Sequence, residues 1–280
     1  MAVDSLPDIM LTKEAALKDL LRGYGAIAIA YSGGVDSTYL AAVAHEVLGA
    51  KASMVLADSP SMPRSELKEA RELAESRGWN FVRVETHEFE KEDFLKNDGG
   101  RCYVCKGELF TQMDRYAKEN GITVMAYGEL AEDGLDPTRL GAKAAREHRV
   151  VAPLAEARLT KEEIRALSKA RGLPTWSKAS FACLSSRFPK GVRVDIAEMR
   201  KVEQAEEVLR GMGFRQYRAR HHGDICRIEV DPEDFEKLLS PDTRQAITDG
   251  IRKAGYRFVT LDLAGYQMGS TAGLGAARAQ

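Results

Sequence analysis

Residues 32–37, with the sequence SGGVDS, have the residue types of a phosphate-binding loop. The apolar run 26–31 before them predicts a buried strand, and residues 38–44 after them predict a helix. Glycine lets backbone N–H groups approach phosphate oxygens, and a helix N-terminus favours negative charge, so this strand, turn and helix predict an anion site. The residues expected to line it are Ser32, Gly33, Gly34, Val35, Asp36, Ser37 and Thr38.

This loop is not a Walker A loop, because G-x-x-x-x-G-K-[ST] does not occur in the sequence. We predict a catalytic role for Asp36, as a contact to Mg²⁺ or water at the phosphates; its other interpretation is as an N-terminal helix cap. For the whole motif, the alternative is a polar turn in an ordinary βα unit.

Three cysteines have the spacing of ligands or redox groups. Cys102 and Cys105 form a C-x-x-C motif, and Cys183 lies in the segment FACLSSR. Three thiolates suit a 4Fe–4S cluster in which one iron lacks a protein ligand and could hold an added sulfide; zinc, a redox pair and inert buried thiols are the alternatives. We predict Cys102, Cys105 and Cys183 as catalytic and metal-binding residues. Cys226, inside a predicted strand, is expected to be buried and inert.

Cationic side chains are candidates for binding an anionic substrate. Arg218 and Arg220 are two residues apart on a predicted strand and would share one face, and Arg227 falls on the next strand. Guanidinium groups bind phosphate with paired hydrogen bonds, whereas a solvated basic face is the alternative. Glu206 and Glu207 on the preceding predicted helix could order these arginines.

Basic residues also flank the cysteines. Lys106, Lys178 and Arg187 could lower the pKa of a thiol or neutralise a phosphate; as an alternative, they are solvated surface residues.

Alternating strands and helices predict an α/β fold with a doubly wound parallel sheet. Ligands of such sheets bind at the carboxyl ends of the strands, so Asp58 and Ser59 after the second strand and Gly128 after the fourth join the loop on one ligand-binding rim. The predicted strands are 25–31, 51–57, 81–85, 122–127 and 149–151; the predicted helices are 9–23, 36–48, 63–77, 102–118 and 160–171. Pro63 suits the first turn of its charged helix, and Thr160 with Glu163 predicts an N-terminal capping box for the last helix.

The alternation of strands and helices ends near residue 187, so we predict two domains. Residues 1–187 contain the phosphate-binding loop, and residues 188–280 form a small α+β domain for substrate binding or oligomerisation. The second domain reads as helix 196–210, strands 214–219 and 225–230, helix 243–254 and strand 256–261. The tail 271–280 is expected to be disordered.

Composition narrows the function classes. The chain has 280 residues and a net charge of −1, which does not favour nucleic acid as a partner. No apolar run approaches the roughly 20 residues of a membrane span. The first residues lack the basic and apolar regions of a signal peptide, and four cysteines do not make a disulfide scaffold. A cytoplasmic protein without a membrane partner is therefore expected.

Several motifs in order resemble the LarE family of sulfur transferases, a branch of the ATP-pyrophosphatase (PP-loop) superfamily. They cover about 240 residues and include SGGVDS at 32–37, RCYVCK at 101–106, GELAED at 128–133, the segment 152–191, RARHHGDICRIEV at 218–230 and LDLAGYQMGS at 261–270. The resemblance implies that residues 1–187 are a PP-loop domain using ATP and Mg²⁺. It also implies that a carboxylate of pyridinium-3,5-biscarboxylic acid mononucleotide is adenylated and that sulfur then replaces AMP, a step in nickel-pincer cofactor synthesis.

The resemblance also assigns residues. One family type has a single cysteine matching Cys183 and sacrifices its sulfur, leaving dehydroalanine; the other has three cysteines and resembles cluster-dependent thiolases. This chain has all three, which favours the 4Fe–4S type. Arg218 and Arg220 match the pair that binds the substrate phosphate, and family members form homo-oligomers. The set that we predict to bind substrate is Arg218, Arg220, Arg227, Glu207, Arg187 and Lys106.

The sequence departs from the family pattern in places. Residues 128–133 read GELAED where G-x-N-x-D-D is frequent in the family, and Lys178-Ala179 stands where Lys-Pro is frequent. Such departures would affect which substrate is bound. A tRNA thiolase is an alternative enzyme, but such an enzyme would be expected to have a basic surface and more C-x-x-C motifs than this sequence contains. A non-catalytic ATP-binding module is an alternative of another class, and it would not need three cysteines beside the loop.

Overall fold

Three segments of the chain, residues 6–132, 140–179 and 182–267, are described by the computed structural model. The helices are α1 (Asp8–Tyr24), α2 (Val35–Leu48), α3 (Arg64–Ser76), α4 (Glu92–Leu95), α5 (Arg101–Glu119), α6 (Leu140–Glu147), α7 (Pro153–Glu156), α8 (Lys161–Ala170), α9 (Ile196–Gly211), α10 (Phe235–Leu239) and α11 (Pro241–Lys253). The strands are β1 (Ile27–Ala30), β2 (Ala52–Asp58), β3 (Asn80–Glu85), β4 (Val124–Tyr127), β5 (Tyr217–His222), β6 (Ile225–Val230) and β7 (Phe258–Leu261). Short 3-10 helices cover Gly49–Lys51, Glu88–Glu90, Pro174–Ser177, Leu184–Arg187 and Pro232–Asp234.

The chain divides into two compact units. The first comprises residues 1–59, 64–91 and 102–180, and the second comprises 60–63, 92–101 and 181–280. The domain boundary predicted after residue 187 stays a prediction, and the predicted disordered tail lies outside the described residues. In the part of the chain that the structure describes, no helix is both long and apolar enough to cross a membrane.

The first unit contains a parallel four-stranded sheet in the order β3-β2-β1-β4, which confirms the predicted fold class. In register, Ala30 at the end of β1 pairs with Val55 of β2 and with Tyr127 of β4. Val151 adds an isolated parallel bridge to Ala126, at the place of the predicted fifth strand. From β1 the chain proceeds to β2 and β3 on one side, and it then returns to form β4 on the other side of β1. The loop after β1 therefore lies at the switch point where such sheets bind ligands.

Burial explains why these segments become central strands. Ile27, Ala28 and Ile29 of β1 are each fully buried, as expected for a parallel strand covered by helices on both faces. On one face, Ala28 and Val55 pack with Phe110 and Met113 of α5. The apolar run before the loop therefore fixes β1 in the middle of the sheet, with the loop directly after its carboxyl end.

The second unit contains a three-stranded sheet in the order β5-β6-β7, with β5 antiparallel and β7 parallel to β6. Strand β5 begins three residues later than the predicted 214–219. Gly213, at φ 77°, and Phe214 donate their backbone N–H groups to Arg210 and Leu209, so these residues close the end of α9 instead.

Candidate active site

The loop after β1 is ordered by its own serines. The backbone N–H of Ser32 donates to Ser37 Oγ at 3.1 Å, and the two hydroxyl oxygens of these serines are 3.0 Å apart. Gly34 precedes α2 directly, and its N–H points to Ser32 Oγ at 3.4 Å. The loop therefore places a helix N-terminus and two hydroxyl groups together, which is the arrangement that binds phosphate.

Two glycines are required by close approaches. Gly33 has a φ of 71°, and a Cβ there would lie 2.7 Å from the Cβ of Ala70 on α3. A Cβ on Gly128, which follows β4, would lie 3.0 Å from the backbone nitrogen of Ser37. A side chain at Gly33 would force the loop and α3 apart, and one at Gly128 would displace the start of α2, so both glycines lie where the backbone must come close to its neighbour.

Asp36, in the first turn of α2, is paired with a residue that sequence reasoning missed. Lys161 Nζ lies 2.8 and 2.6 Å from the two carboxylate oxygens of Asp36. Lys161 is the first residue of α8, where a positive charge is opposed by the helix dipole. The capping box at Thr160 fixes the start of α8 and with it the position of Lys161, but the sequence held no signal for the pairing with Asp36.

Asp58 and Ser59 lie at the carboxyl end of β2, as predicted. The Asp58 carboxylate pairs with Arg64 at 2.5 Å and with Arg83 at 3.3 Å. Ser59 donates its hydroxyl hydrogen to Glu88, a fully buried carboxyl group, and its carbonyl oxygen accepts from Arg64 at 2.5 Å. These contacts make the rim beside the loop rigid.

Cys102 and Cys105 lie in the first turns of α5 in the first unit. Cys102 is exposed and Cys105 is half-buried. Lys106 follows them; its Nζ lies 4.7 Å from the centre of the Tyr127 ring, and its Cδ occupies the space that a Cβ on Gly141 would need. The helix therefore brings a C-x-x-C pair and a cation to the end of β4.

Cys183 lies in the second unit, where the short helix Leu184–Arg187 follows it. Its Sγ is 3.0 Å from Ser185 Oγ, and the residue is half-buried. Arg187 is fully buried and donates to the carbonyl oxygens of Ala182 at 2.7 Å and Cys183 at 3.1 Å. Its Nε and Nη2 donate to Glu206 at 2.7 and 2.9 Å.

Arg187 therefore anchors the cysteine segment to α9. Burial alone would lower its pKa, but the charge and the hydrogen bonds of Glu206, with smaller contributions from neighbouring groups, together place the pKa above its usual range. Glu206 also accepts the backbone N–H of Ala219 at 3.1 Å, whereas Glu207, the residue of our predicted set, is exposed on α9. The substrate-binding roles predicted for Arg187 and Glu207 stay predictions.

The predicted arginines of β5 and β6 lie on one face of the small sheet. Arg218 and Arg220 are 3% and 4% exposed, and they pair in register with Glu229 and Arg227. Glu229, which is fully buried, accepts from Arg220 at 2.7 Å and lies 3.2 Å from Arg227. The Nε–H groups of Arg220 and Arg227 are buried and have no acceptor within the described segments.

Charge in this cluster suits an anionic ligand. Burial lowers the pKa of Arg218, and the positive charge of Arg187 lowers it further. A bound phosphate would offset this repulsion, since guanidinium groups bind phosphate through paired hydrogen bonds.

The fourth cysteine differs from the other three. Cys226 is fully buried in β6, and burial raises the pKa of its thiol to about 12.

Among residues 6–132, 140–179 and 182–267, no three histidine, cysteine, aspartate or glutamate side chains are gathered as metal ligands. The accessible thiols of Cys102, Cys105 and Cys183 nonetheless have the chemistry that iron–sulfur clusters use.

Sequence comparison finds relatives of both units, although no family model matches the chain. The chain is 35% identical over 260 residues, 92% of its length and 91% of the relative's, to the pyridinium-3,5-bisthiocarboxylic acid mononucleotide synthase of Lactiplantibacillus plantarum. It is 37% identical over 259 residues, 91% of its length and 96% of the relative's, to "Uncharacterized protein slr1717" of Synechocystis sp.. A shorter match, 31% identical over 158 residues, covers 52% of the chain and 50% of one component of the glutamine-hydrolysing GMP synthase of Methanococcus maripaludis.

Proposed function

The chain belongs to the LarE family, within the PP-loop superfamily, and from that premise we propose that it is an ATP-dependent sulfurtransferase acting on pyridinium-3,5-biscarboxylic acid mononucleotide. In this reaction a substrate carboxylate is adenylated and sulfur then replaces AMP, giving a thiocarboxylate. The observation that carries the proposal is the ordered loop of residues 32–38 at the switch point of a parallel sheet. The buried arginines of the second unit support it, because the substrate carries a phosphate.

In the adenylation step, the backbone N–H groups at the start of α2 and the hydroxyl groups of Ser32 and Ser37 bind the phosphates of ATP. A carboxylate oxygen of the substrate attacks the α-phosphorus, the bond to the β-phosphate oxygen breaks, and pyrophosphate leaves with that electron pair. The ion pair with Asp36 holds Lys161 beside the loop, and its positive charge would offset the negative charge of the leaving pyrophosphate. Asp36 would contact the Mg²⁺ that accompanies ATP.

In the sulfur-transfer step, the acyl carbon accepts a sulfur nucleophile and AMP leaves. Arg218, Arg220 and Arg227 would hold the phosphate of the mononucleotide, and Arg187 would fix the backbone of Cys183. Cys102, Cys105 and Cys183 would hold a 4Fe–4S cluster. When bound, such a cluster would hold an added sulfide that serves as the nucleophile, and each further turnover would consume another sulfide from solution.

A pyrophosphate assay tests the proposed function. Pyrophosphate and AMP are expected from ATP only when the mononucleotide is present, and mass spectrometry of the product should show oxygen replaced by sulfur. A chain that binds ATP but releases no pyrophosphate with this substrate would be a non-catalytic module. Pyrophosphate released only with tRNA would favour the tRNA thiolase.

The source of the sulfur needs a separate experiment. Protein purified without oxygen and reconstituted with iron and sulfide is expected to bind four irons per chain and to absorb near ~400 nm. Replacing Cys102, Cys105 or Cys183 with Ala should remove the iron, whereas Cys226→Ala, the matched control, should retain it. Absence of iron together with conversion of Cys183 to dehydroalanine after one turnover would establish a sacrificial cysteine instead.

A further inference from the structure

The turn of residues 262–266, with the sequence DLAGY, is held in place from both ends. Asp262 ion-pairs with Arg227 through one carboxylate oxygen and accepts the N–H of Ala264 at 3.0 Å through the other. The backbone N–H of Tyr266 donates to Val230 at 2.9 Å. The turn is thereby fastened to β6, the central strand of the small sheet.

Gly265 cannot be another residue without moving this turn. Its φ is 71°, and a Cβ there would lie 2.9 Å from Pro232 Cγ and 3.0 Å from the carbonyl oxygen of Val230. These constraints fix the backbone position of Tyr266, and hence the region that its ring can occupy.

The ring of Tyr266 lies on Arg218. The Cζ of Arg218 is 4.9 Å from the ring centre, and Nη2 is 3.5 Å from the phenol oxygen. On another side, Nη1 of Arg218 donates to the carbonyl oxygen of Tyr217 at 2.6 Å. The ring face carries partial negative charge, so it stabilises a guanidinium that burial and Arg187 both disfavour.

We propose that Tyr266 is a positioning residue for a phosphate monoester bound by Arg218, and that the 262–266 turn serves to place its ring. A guanidinium already stacked and hydrogen-bonded has less freedom to lose when the phosphate binds, which raises affinity without a new contact to the ligand. The identification of the phosphate compound as a pyridinium mononucleotide rests on the proposed function. The stacking itself does not.

Calorimetric titration of variants tests this role. The probes are nicotinic acid mononucleotide, inorganic phosphate and, as a phosphate-free comparator, nicotinic acid riboside. Tyr266→Leu is expected to weaken binding of the mononucleotide about tenfold, as loss of a partly desolvated cation–π contact should. Binding of the riboside and of ATP should be unchanged, and Tyr266→Phe, which retains the ring, should restore affinity to within about twofold.

Two further variants control for the fold. Leu263, in the same turn, is 85% exposed, so Leu263→Ala should bind every probe like the wild type. Gly265→Ala moves the turn and should reproduce the loss seen in Tyr266→Leu, while thermal unfolding reports whether each variant is folded. In a cycle with Arg218→Ala, removing Tyr266 as well should cost nothing more.

The outcomes separate this inference from the proposed function. If Tyr266→Leu binds the mononucleotide and phosphate like the wild type, or loses the riboside equally, the positioning role is overturned. Failure of the wild type to bind any phosphate probe overturns it too. If phosphate binding depends on Tyr266 but no pyrophosphate is released with the biscarboxylate substrate, the inference stands and the proposed function fails.

Discussion

Lys161 shows how one side chain can be placed against its local preference. As the first residue of α8, it puts a positive charge where the helix dipole favours a negative one, a cost of about 0.3–1 kcal/mol. The contact to both oxygens of Asp36 offsets that cost. A cation maintained at an unfavourable helix end beside a phosphate loop indicates a role in binding or catalysis.

Replacing Lys161 with Ala is therefore expected to lower kcat/KM for ATP about 100-fold, because the positive charge that offsets the charge of the leaving pyrophosphate is lost. Pyrophosphate release at varied ATP concentration measures it. Lys169→Ala, at the other end of the same helix, is the matched control and should behave like the wild type. Equal activity of the two variants would exclude Lys161 from the reaction.

Arg187 and Glu206 form a buried ion pair whose halves depend on each other. Arg187→Met would leave Glu206 without its cation, and we expect a loss of about 3–5 kcal/mol in the free energy of unfolding. Urea denaturation measures that loss. Arg193→Met, which breaks the solvent-exposed pair with Glu92, should cost far less. A similar cost for both variants would contradict the anchoring role of Arg187.

Helix α8 is attached to its neighbours by the same residues that begin it. Glu163 accepts the N–H of Thr160 at 2.9 Å and the ammonium of Lys13, on α1, at 2.7 Å. Burial opposes ionisation of Glu163, but these hydrogen bonds outweigh it and its pKa lies below the usual 4.5. The capping box is thus also the link between α8 and α1.

This link predicts a pH dependence of stability. Since the pKa of Glu163 is lowered on folding, its contribution is present above pH 4.5 and is lost as the pH falls through the lower value of the folded state. Glu163→Gln should be less stable than the wild type at pH 7, and the difference should shrink in acid. Glu162→Gln, at the exposed neighbouring position, should show no such convergence in melts from pH 7 to about 3.

Periodicity and capping signals predicted the elements that carry the site. The apolar run before residue 32, the charged helix after Pro63 and the Thr160 capping box are local features, and the structure confirms each. The sequence did not indicate α6, whose Gly141 packs on Lys106. Pairings such as Lys161 with Asp36 join residues 125 apart, and no local pattern encodes them.

At the scale of the whole molecule, the two compact units are interleaved along the sequence. Residues 92–101 belong to the second unit, although they lie between segments of the first. Asn97, at φ 52°, donates to Pro189 at 2.9 Å and Val192 at 3.1 Å, and the N–H of Val194 donates to Leu95 at 2.9 Å. The arginine cluster thus shares its unit with a segment far upstream in sequence.

A fragment ending at residue 187 is therefore expected to be unstable, although a division there looks natural in the sequence. It would retain Phe94, which is 1% exposed, but lose the backbone partners of Asn97. Soluble expression and hydrogen exchange of the fragment, alone and coexpressed with 188–280, measure this. A fragment alone that protects residues 92–101 as well as the full chain does would show that the segment needs no later partner.

The same interleaving sets an order of events during synthesis. At about 5–20 residues per second, a ribosome needs roughly 5–20 s to proceed from residue 97 to the partners of that asparagine some 92–95 residues later. During that interval β4 is synthesised and the parallel sheet can form, while Asn97 still lacks its backbone partners. The nascent chain thus carries in its middle a segment, residues 92–101, that cannot join its own compact unit until the chain beyond residue 188 has been made.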